Sequence, residues 1–269
     1  MRKIYKYSEI SEFVDPEEVD LSSFSPKDEL NGNFWHDGRL DLYARKNLLL
    51  IAKSVIEGVD IEDMEIDDVI MTGSLANYNW DEKYSDIDLH IVLNFNEIAD
   101  DVELVKKFFD TYKKLWNQKH EDGLRIYGYP VEIYFQDASE SHTSSGVYSV
   151  LYDRWVVKPS RSKMKFDTAN NTYIRKKASD FMTEIDDLEE ELKNALNSRG
   201  SDYDTFMDIY DEADEIMERI KKTRKDSLSK DKAAEMSRGN IVFKSLRREG
   251  YIEKIFDIKT RCYDAANSI

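Results

Sequence analysis

The run Ser85-Asp86-Ile87-Asp88-Leu89-His90-Ile91-Val92-Leu93 constrains the fold more than any other stretch of the chain. Ile87, Leu89, Ile91 and Leu93 alternate with Asp86, Asp88, His90 and Val92, the period of a strand with one face in a core. Side chains two apart on a strand share a face, so Asp86 and Asp88 stand side by side, roughly 7 Å apart at Cα. Two carboxylates that close raise each other's pKa unless a cation lies between them. Oxygen pairs of this kind suit Mg²⁺ or Mn²⁺, which take one or two carboxylates plus substrate phosphates.

Upstream, Asp67 to Thr72 reads as a first strand, and Gly73-Ser74 opens a polar loop. Glycine reaches backbone conformations closed to other residues and lets a ligand approach, so a Gly-Ser turn at a strand end is a plausible phosphate cradle. Downstream, Val131, Ile133 and Phe135 give one face of a strand within Leu124 to Phe135, and Glu132 and Tyr134 give the other. An unpaired carboxylate within an apolar strand is costly to bury. Sharing a metal with Asp86 and Asp88 would remove that cost, which makes Glu132 the candidate third acid.

Gly73-Ser74, then Ser85-Asp86-Ile87-Asp88-Leu89, then a lone acid on a later strand, resembles the nucleotidyltransferase superfamily that includes DNA polymerase β. The resemblance spans roughly Asp37 to Phe135. The fuller runs Thr72 to Trp80 and Lys83 to His90 also look like predicted nucleotidyltransferases of tailed bacteriophages. The resemblance implies that Asp86, Asp88 and Glu132 are catalytic and hold two Mg²⁺ or Mn²⁺ ions. It implies that Gly73 and Ser74, with Ser85, bind the triphosphate of a nucleoside triphosphate. Glu132 would also receive the proton of an acceptor hydroxyl. The acceptor stays open among a nucleic-acid 3′ end, a protein side chain, a small molecule and a second nucleotide.

The expected fold is α+β: a nucleotidyltransferase-type mixed sheet flanked by helices, followed by an all-helical C-terminal domain. Residues 1–36 read as an irregular arm, broken at Asp15-Pro16 and Ser25-Pro26 and pinned by Phe34-Trp35. Residues 37–165 form the core. Leu42, Leu48, Leu49, Ala52, Val55 and Ile56 sit near a helical period, with Gly58 at the end. Asp100 to Lys119 repeats the pattern, with Val102, Val105, Phe108, Phe109, Tyr112, Leu115 and Trp116 as one apolar stripe. Residues 136–146 read as a polar loop near Glu132 that either folds over the site or is plain surface, and Val147 to Lys158 as a hairpin that extends the sheet. Residues 166–269 carry helical periods broken near Gly200, through Lys221 to Lys225, then over about 231–248 and 251–266.

Other residues hold two readings each. Tyr78, Asn79 and Trp80 either stack on a base or pack onto their own domain. Arg161, Lys163 and Lys165 are either a solvated linker or cations for the β- and γ-phosphates. Lys221 to Lys225 and Arg247-Arg248 either suit helix ends or touch nucleic acid. His90, on the face of Asp86 and Asp88, either supports a carboxylate or is a satisfied core ring. Zinc is not expected, since His36, His120 and His142 share no ligand spacing.

A net charge of −16 disfavours sequence-blind wrapping of nucleic acid, which depends on phosphate neutralisation. One cysteine, Cys262, excludes an internal disulfide and suits a reducing compartment, the cytoplasm, or a host cytoplasm for a phage protein. The lack of any long apolar run excludes a membrane-spanning helix, so no membrane partner is expected. The competing expectation is a binding or structural protein, phage-associated on the narrower resemblance, that keeps the fold without its chemistry. A ribonuclease-like or toxin role for the helical half ranks last, because that half has no acid–base pair with histidine.

Overall fold

A computed structural model describes residues 14–61, 64–121, 123–161, 171–198, 200–228 and 236–268. These divide into two units, one drawn from Ser25–Lys165 and the other from Met1–Phe24 together with Phe166–Ile269.

The first unit is α+β. A short strand pair, β1 (Trp35–His36) and β2 (Arg39–Leu40), precedes helix α1 (Leu42–Val59). Then follow β3 (Asp68–Thr72), β4 (Ile87–Leu93), the one-turn helix α2 (Phe95–Ile98) and helix α3 (Val102–His120). The pair β5 (Arg125–Ile126) and β6 (Tyr129–Asp137) and the hairpin β7 (Val147–Ser149) and β8 (Arg154–Val157) complete it. Six strands form a mixed sheet in the order β5-β6-β4-β3-β7-β8. Among the described residues, only β4 and β6 are parallel neighbours.

The alternation in β4 settles its orientation. Ile87, Leu89, Ile91 and Leu93 are fully buried in one core with Leu48 and Val55 of α1, Val105 and Phe109 of α3, and Val131 and Ile133 of β6. Each such side chain contributes about 1.5–3 kcal/mol of burial. Asp88 and His90 therefore take the opposite face. The helices start where a side chain can cap them: Asp41 Oδ1 accepts from Ala44 N at 3.0 Å, and Asp101 Oδ1 from Leu104 N at 3.0 Å. Beyond its short pairing with β5, β6 has α3 along its free edge. There the Asn117 side chain accepts from Ile133 N at 2.9 Å and donates to Ile133 O at 3.1 Å. One amide thus occupies edge groups that would otherwise invite another strand.

Four expectations change. Leu124 to Phe135 is a hairpin rather than one strand, because Tyr127 (φ 52°) and Gly128 (φ 87°) both adopt the left-handed region required by a two-residue type I′ turn. Leu42, Phe108 and Leu115 lie exposed rather than in the core, so the apolar stripes of α1 and α3 are wider than the faces they bury. Gly58 lies inside α1, which ends instead at Asp60 in the left-handed region. The arm is shared between the units. Phe34 and Trp35 enter the sheet core, while Val19, Leu21 and Phe24 join the helical core.

The second unit is a helical bundle of α4 (Asn171–Asn197), α5 (Tyr203–Leu228), α6 (Arg238–Arg248) and α7 (Tyr251–Asn267). Its core includes Phe181, Ile185, Leu188, Ile216, Ile241, Ile255 and Cys262. Among the described residues, no helix is long and apolar enough to cross a membrane.

Candidate metal centre

Sheet register brings the three predicted acids together. Asp88 of β4 lies opposite Glu132 of β6, and Asp86 sits one residue before β4 begins. Each offers a carboxylate oxygen, and these atoms all lie within 4.8 Å of one another. All three residues are half-buried. Two unit charges at about 4.8 Å repel by roughly 3–4 kcal/mol at an effective dielectric of 20. A shared divalent cation turns that repulsion into attraction, and an all-oxygen carboxylate set fits Mg²⁺ or Mn²⁺ rather than a softer metal.

Gly73 is fitted to Asp88. Its φ of 75° and ψ of −164° lie in a region essentially reserved for glycine. A Cβ there would fall 1.8 Å from Asp88 Oδ2 and 2.8 Å from Asp88 Cγ. The missing side chain is what lets the Asp88 carboxylate occupy its place. Asn77 holds the turn by donating to Gly73 O at 3.0 Å and to Ser145 Oγ at 3.2 Å. Gly146 closes against the same turn, since a Cβ on it would lie 1.9 Å from Ala76 O. Ser74 Oγ lies 2.7 Å from Ser85 Oγ, which also accepts from Asp81 N at 2.8 Å. Ser85 is buried and ties the ends of the 74–85 loop together, while Ser74 remains half-buried at the rim.

Tyr134 supports Glu132. Its hydroxyl donates to Glu132 Oε2 at 2.8 Å. Burial, then the charges of Asp88 and Glu132, push its phenol far above the usual range, so it remains a donor. The ring stacks on His90 at 4.9 Å between centroids, and Lys113 Nζ lies 5.2 Å from its centre.

Of the two roles open to His90, the structure gives the satisfied ring. Burial, reinforced by His142 and Lys113 against the bond with Gln136, pushes its imidazole down to about 4. A neutral ring has one donor and one acceptor. Nδ1 faces Gln136 Oε1 at 3.1 Å and donates, which leaves Nε2 to accept from Thr72 Oγ1 at 3.2 Å. Gln136 Nε2 then lies 3.4 Å from His142 Nδ1 and 3.4 Å from Glu140 O. A polar chain thus runs from the strand beside Asp88 to the 138–146 loop.

The Trp80 ring packs onto its own unit, and the Tyr78 backbone is tied to the same unit. Trp80 Nε1 donates to Glu29 O at 2.9 Å, and Tyr78 O accepts from Lys27 N at 2.7 Å. Arg161 pairs with Asp28, while Lys163 and Lys165 lie outside the described residues. Sequence reasoning missed Asn77, Gln136, His142, Ser145 and Gly146. The signals were the position of Gln136 on the Glu132 face, four residues on, and the nearness of the 136–146 loop to Glu132.

Comparison with protein-family models, with curated proteins and with solved structures finds no match to this chain.

Proposed function

We propose that this chain is a metal-dependent nucleotidyltransferase built on the DNA polymerase β type of core. It moves a nucleoside monophosphate from a nucleoside triphosphate to an acceptor hydroxyl and releases pyrophosphate. The observation that carries the reading is the convergence of Asp86, Asp88 and Glu132 within 4.8 Å, beside a glycine turn fitted against Asp88. Three carboxylates on one end of a sheet, next to a Gly-Ser turn, supply both halves of such a site: cation ligands and a place for a polyphosphate.

Asp86, Asp88 and Glu132 would hold Mg²⁺ or Mn²⁺, which when bound neutralises charge on the attacking and leaving oxygens. The chain's own residues position the reactants. Gly73 and Ser74, with the loop end fixed by Ser85, receive the triphosphate. Tyr134 keeps Glu132 oriented. The acceptor oxygen bonds to the α-phosphorus, the bond from that phosphorus to the bridging oxygen breaks, and pyrophosphate leaves with the electron pair. The hydroxyl proton passes to Glu132. Catalysis in such a site is mainly alignment and charge compensation.

The test is incubation of the full chain with each α-labelled nucleoside triphosphate, with and without Mg²⁺ or Mn²⁺. Label transfer or pyrophosphate release that vanishes in Asp86→Ala and Glu132→Gln is the expected result. Absence of any metal-dependent nucleotide binding would refute the reading and favour a binding protein on this fold.

A further inference from the structure

A cavity of about 330 Å³ lies against the same sheet, lined by Thr72, His90, Tyr134 and Gln136 and covered by Glu140 to Ser144 of the loop after β6. Tyr134 is the wall it shares with the metal centre, because the phenol that lines the cavity also donates to Glu132. We propose that this cavity binds the acceptor, and that the acceptor is an uncharged, ring-bearing alcohol of nucleoside size.

Three observations carry the assignment, which rests on the nucleotidyltransferase reading above. The first is size. Small-ligand sites run to roughly 300–1,000 Å³, so this cavity suits one or two rings and excludes a folded protein or a duplex. The second is charge. The charged groups at the mouth are already matched: Lys106 Nζ pairs with Glu140 Oε1 at 3.1 Å, and Lys113 Nζ with Asp110 Oδ1 at 3.2 Å. The lining therefore favours neither a polycation nor a polyanion. The third is chemistry. Tyr134, Phe109 and Phe135, whose rings are stacked on His90, Phe95 and one another, give apolar walls beside the hydrogen-bonded row Thr72, His90, Gln136 and His142. Apolar walls take the body of a ring, and the Thr72 hydroxyl and Gln136 carbonyl oxygen, each with a lone pair beyond its bond to His90, accept from its hydroxyl and amide groups. Thr72, at the cavity's lining, pairs with Asp88 across the sheet, so a ligand at that end would bring a hydroxyl to the acidic triad, and that oxygen would form the new bond to the α-phosphorus.

The test uses the full chain without metal or triphosphate. Adenosine, guanosine, cytidine and uridine are titrated by saturation-transfer NMR, with neomycin and a ten-nucleotide single strand as contrasts. At least one nucleoside is expected to bind. Thr143→Trp and Ser141→Trp, both on the exposed loop at the mouth, are expected to weaken it by about tenfold or more. Two variants guard against one of them disturbing the fold. Asp86→Ala is expected to keep nucleoside binding while losing Mn²⁺. Failure of every nucleoside to bind, equal binding in both tryptophan variants, or tighter binding of neomycin or the strand would overturn the assignment. If nucleosides fail but labelled nucleotide still reaches another acceptor, the pocket assignment falls and the transferase reading stands. If nucleosides bind but no metal-dependent transfer occurs, both the acceptor role and the transferase reading fall.

Discussion

Replacing Gly73 by alanine tests the site at its tightest point. Two effects add. The backbone at φ 75°, ψ −164° lies where any side chain is strained, a cost of about 1–3 kcal/mol. That corresponds to a fall of roughly 3–12 °C in the melting of a unit this size. The new Cβ also falls 1.8 Å from Asp88 Oδ2, so the carboxylate must swing out of the triad. Loss of that ligand's placement is expected to weaken Mn²⁺ binding by about tenfold or more. Melting followed by circular dichroism gives the first effect, and the electron paramagnetic resonance signal of free Mn²⁺ gives the second. Gly128→Ala separates them: Gly128 also has positive φ, 87°, but a Cβ there meets nothing within 4 Å. It is expected to lose about 1–2 kcal/mol and to bind Mn²⁺ normally. In an Asp88→Ala background the Gly73 substitution meets neither Oδ2 nor Cγ, so its added stability cost should shrink towards the backbone part alone. Gly73→Ala with wild-type Mn²⁺ affinity would refute the reasoning.

Tyr134→Phe removes the donor to Glu132 and is expected to weaken Mn²⁺ binding by about tenfold with little change in melting; unchanged affinity would show that the hydroxyl does not orient the carboxylate. Asn117→Ala strips the Ile133 edge groups of their partner, and a loss of about 1–3 kcal/mol in urea unfolding is expected, with some self-association by light scattering. Burial pushes the Asp137 carboxyl up, but the hydroxyl and amide of Ser139 and the Phe95 amide outweigh it and hold it below its ordinary value. A depressed acid adds stability above its unfolded value and loses it as pH falls through the folded one. The stability gap between wild type and Asp137→Asn is therefore expected to be widest near neutrality and to close below about pH 4, measured by melting across pH. Burial pushes the Cys262 thiol up to about 11, so a thiol reagent at pH 8 should react only after unfolding; fast reaction in the native state would contradict its buried place in α7.

Local pattern carried the part of this fold that depends on neighbours in the chain. The alternation in Ile87 to Leu93 gave both the strand and the face on which Asp88 stands. Helical spacing gave α1, α3 and the bundle helices, though not which flank of each stripe would stay wet, as exposed Leu115 shows. Partners far along the chain were not legible. His90 meets Gln136, 46 residues away, and Asn77 meets Ser145, 68 residues away. Val19, Leu21 and Phe24 lie in an irregular segment with no period to announce that they join the helical core. The Tyr127-Gly128 turn lacks the Asn-Gly or Asp-Gly pair that usually marks a type I′ hairpin.

What made the triad legible nonetheless is that the core fixes it. Ile87 and Leu89 pair across the sheet with Val131 and Ile133, all of them buried. A slip of one residue between β4 and β6 would turn Val131 and Ile133 to the open face and drive Glu132 into the core. Burial of four apolar side chains therefore selects the register that sets Asp88 opposite Glu132. The repulsion between the carboxylates, a few kcal/mol per pair, is small beside the burial that a slipped register would forfeit along the whole length of β6. The apolar residues between the acids exclude a one-residue slip and keep all three acids off the core face, so the site can assemble before a cation arrives. Weakening that apolar match, as Ile133→Ala would, is expected to loosen the acidic triad from beneath and weaken Mn²⁺ binding, read by the electron paramagnetic resonance of free Mn²⁺, without touching any of the three acids.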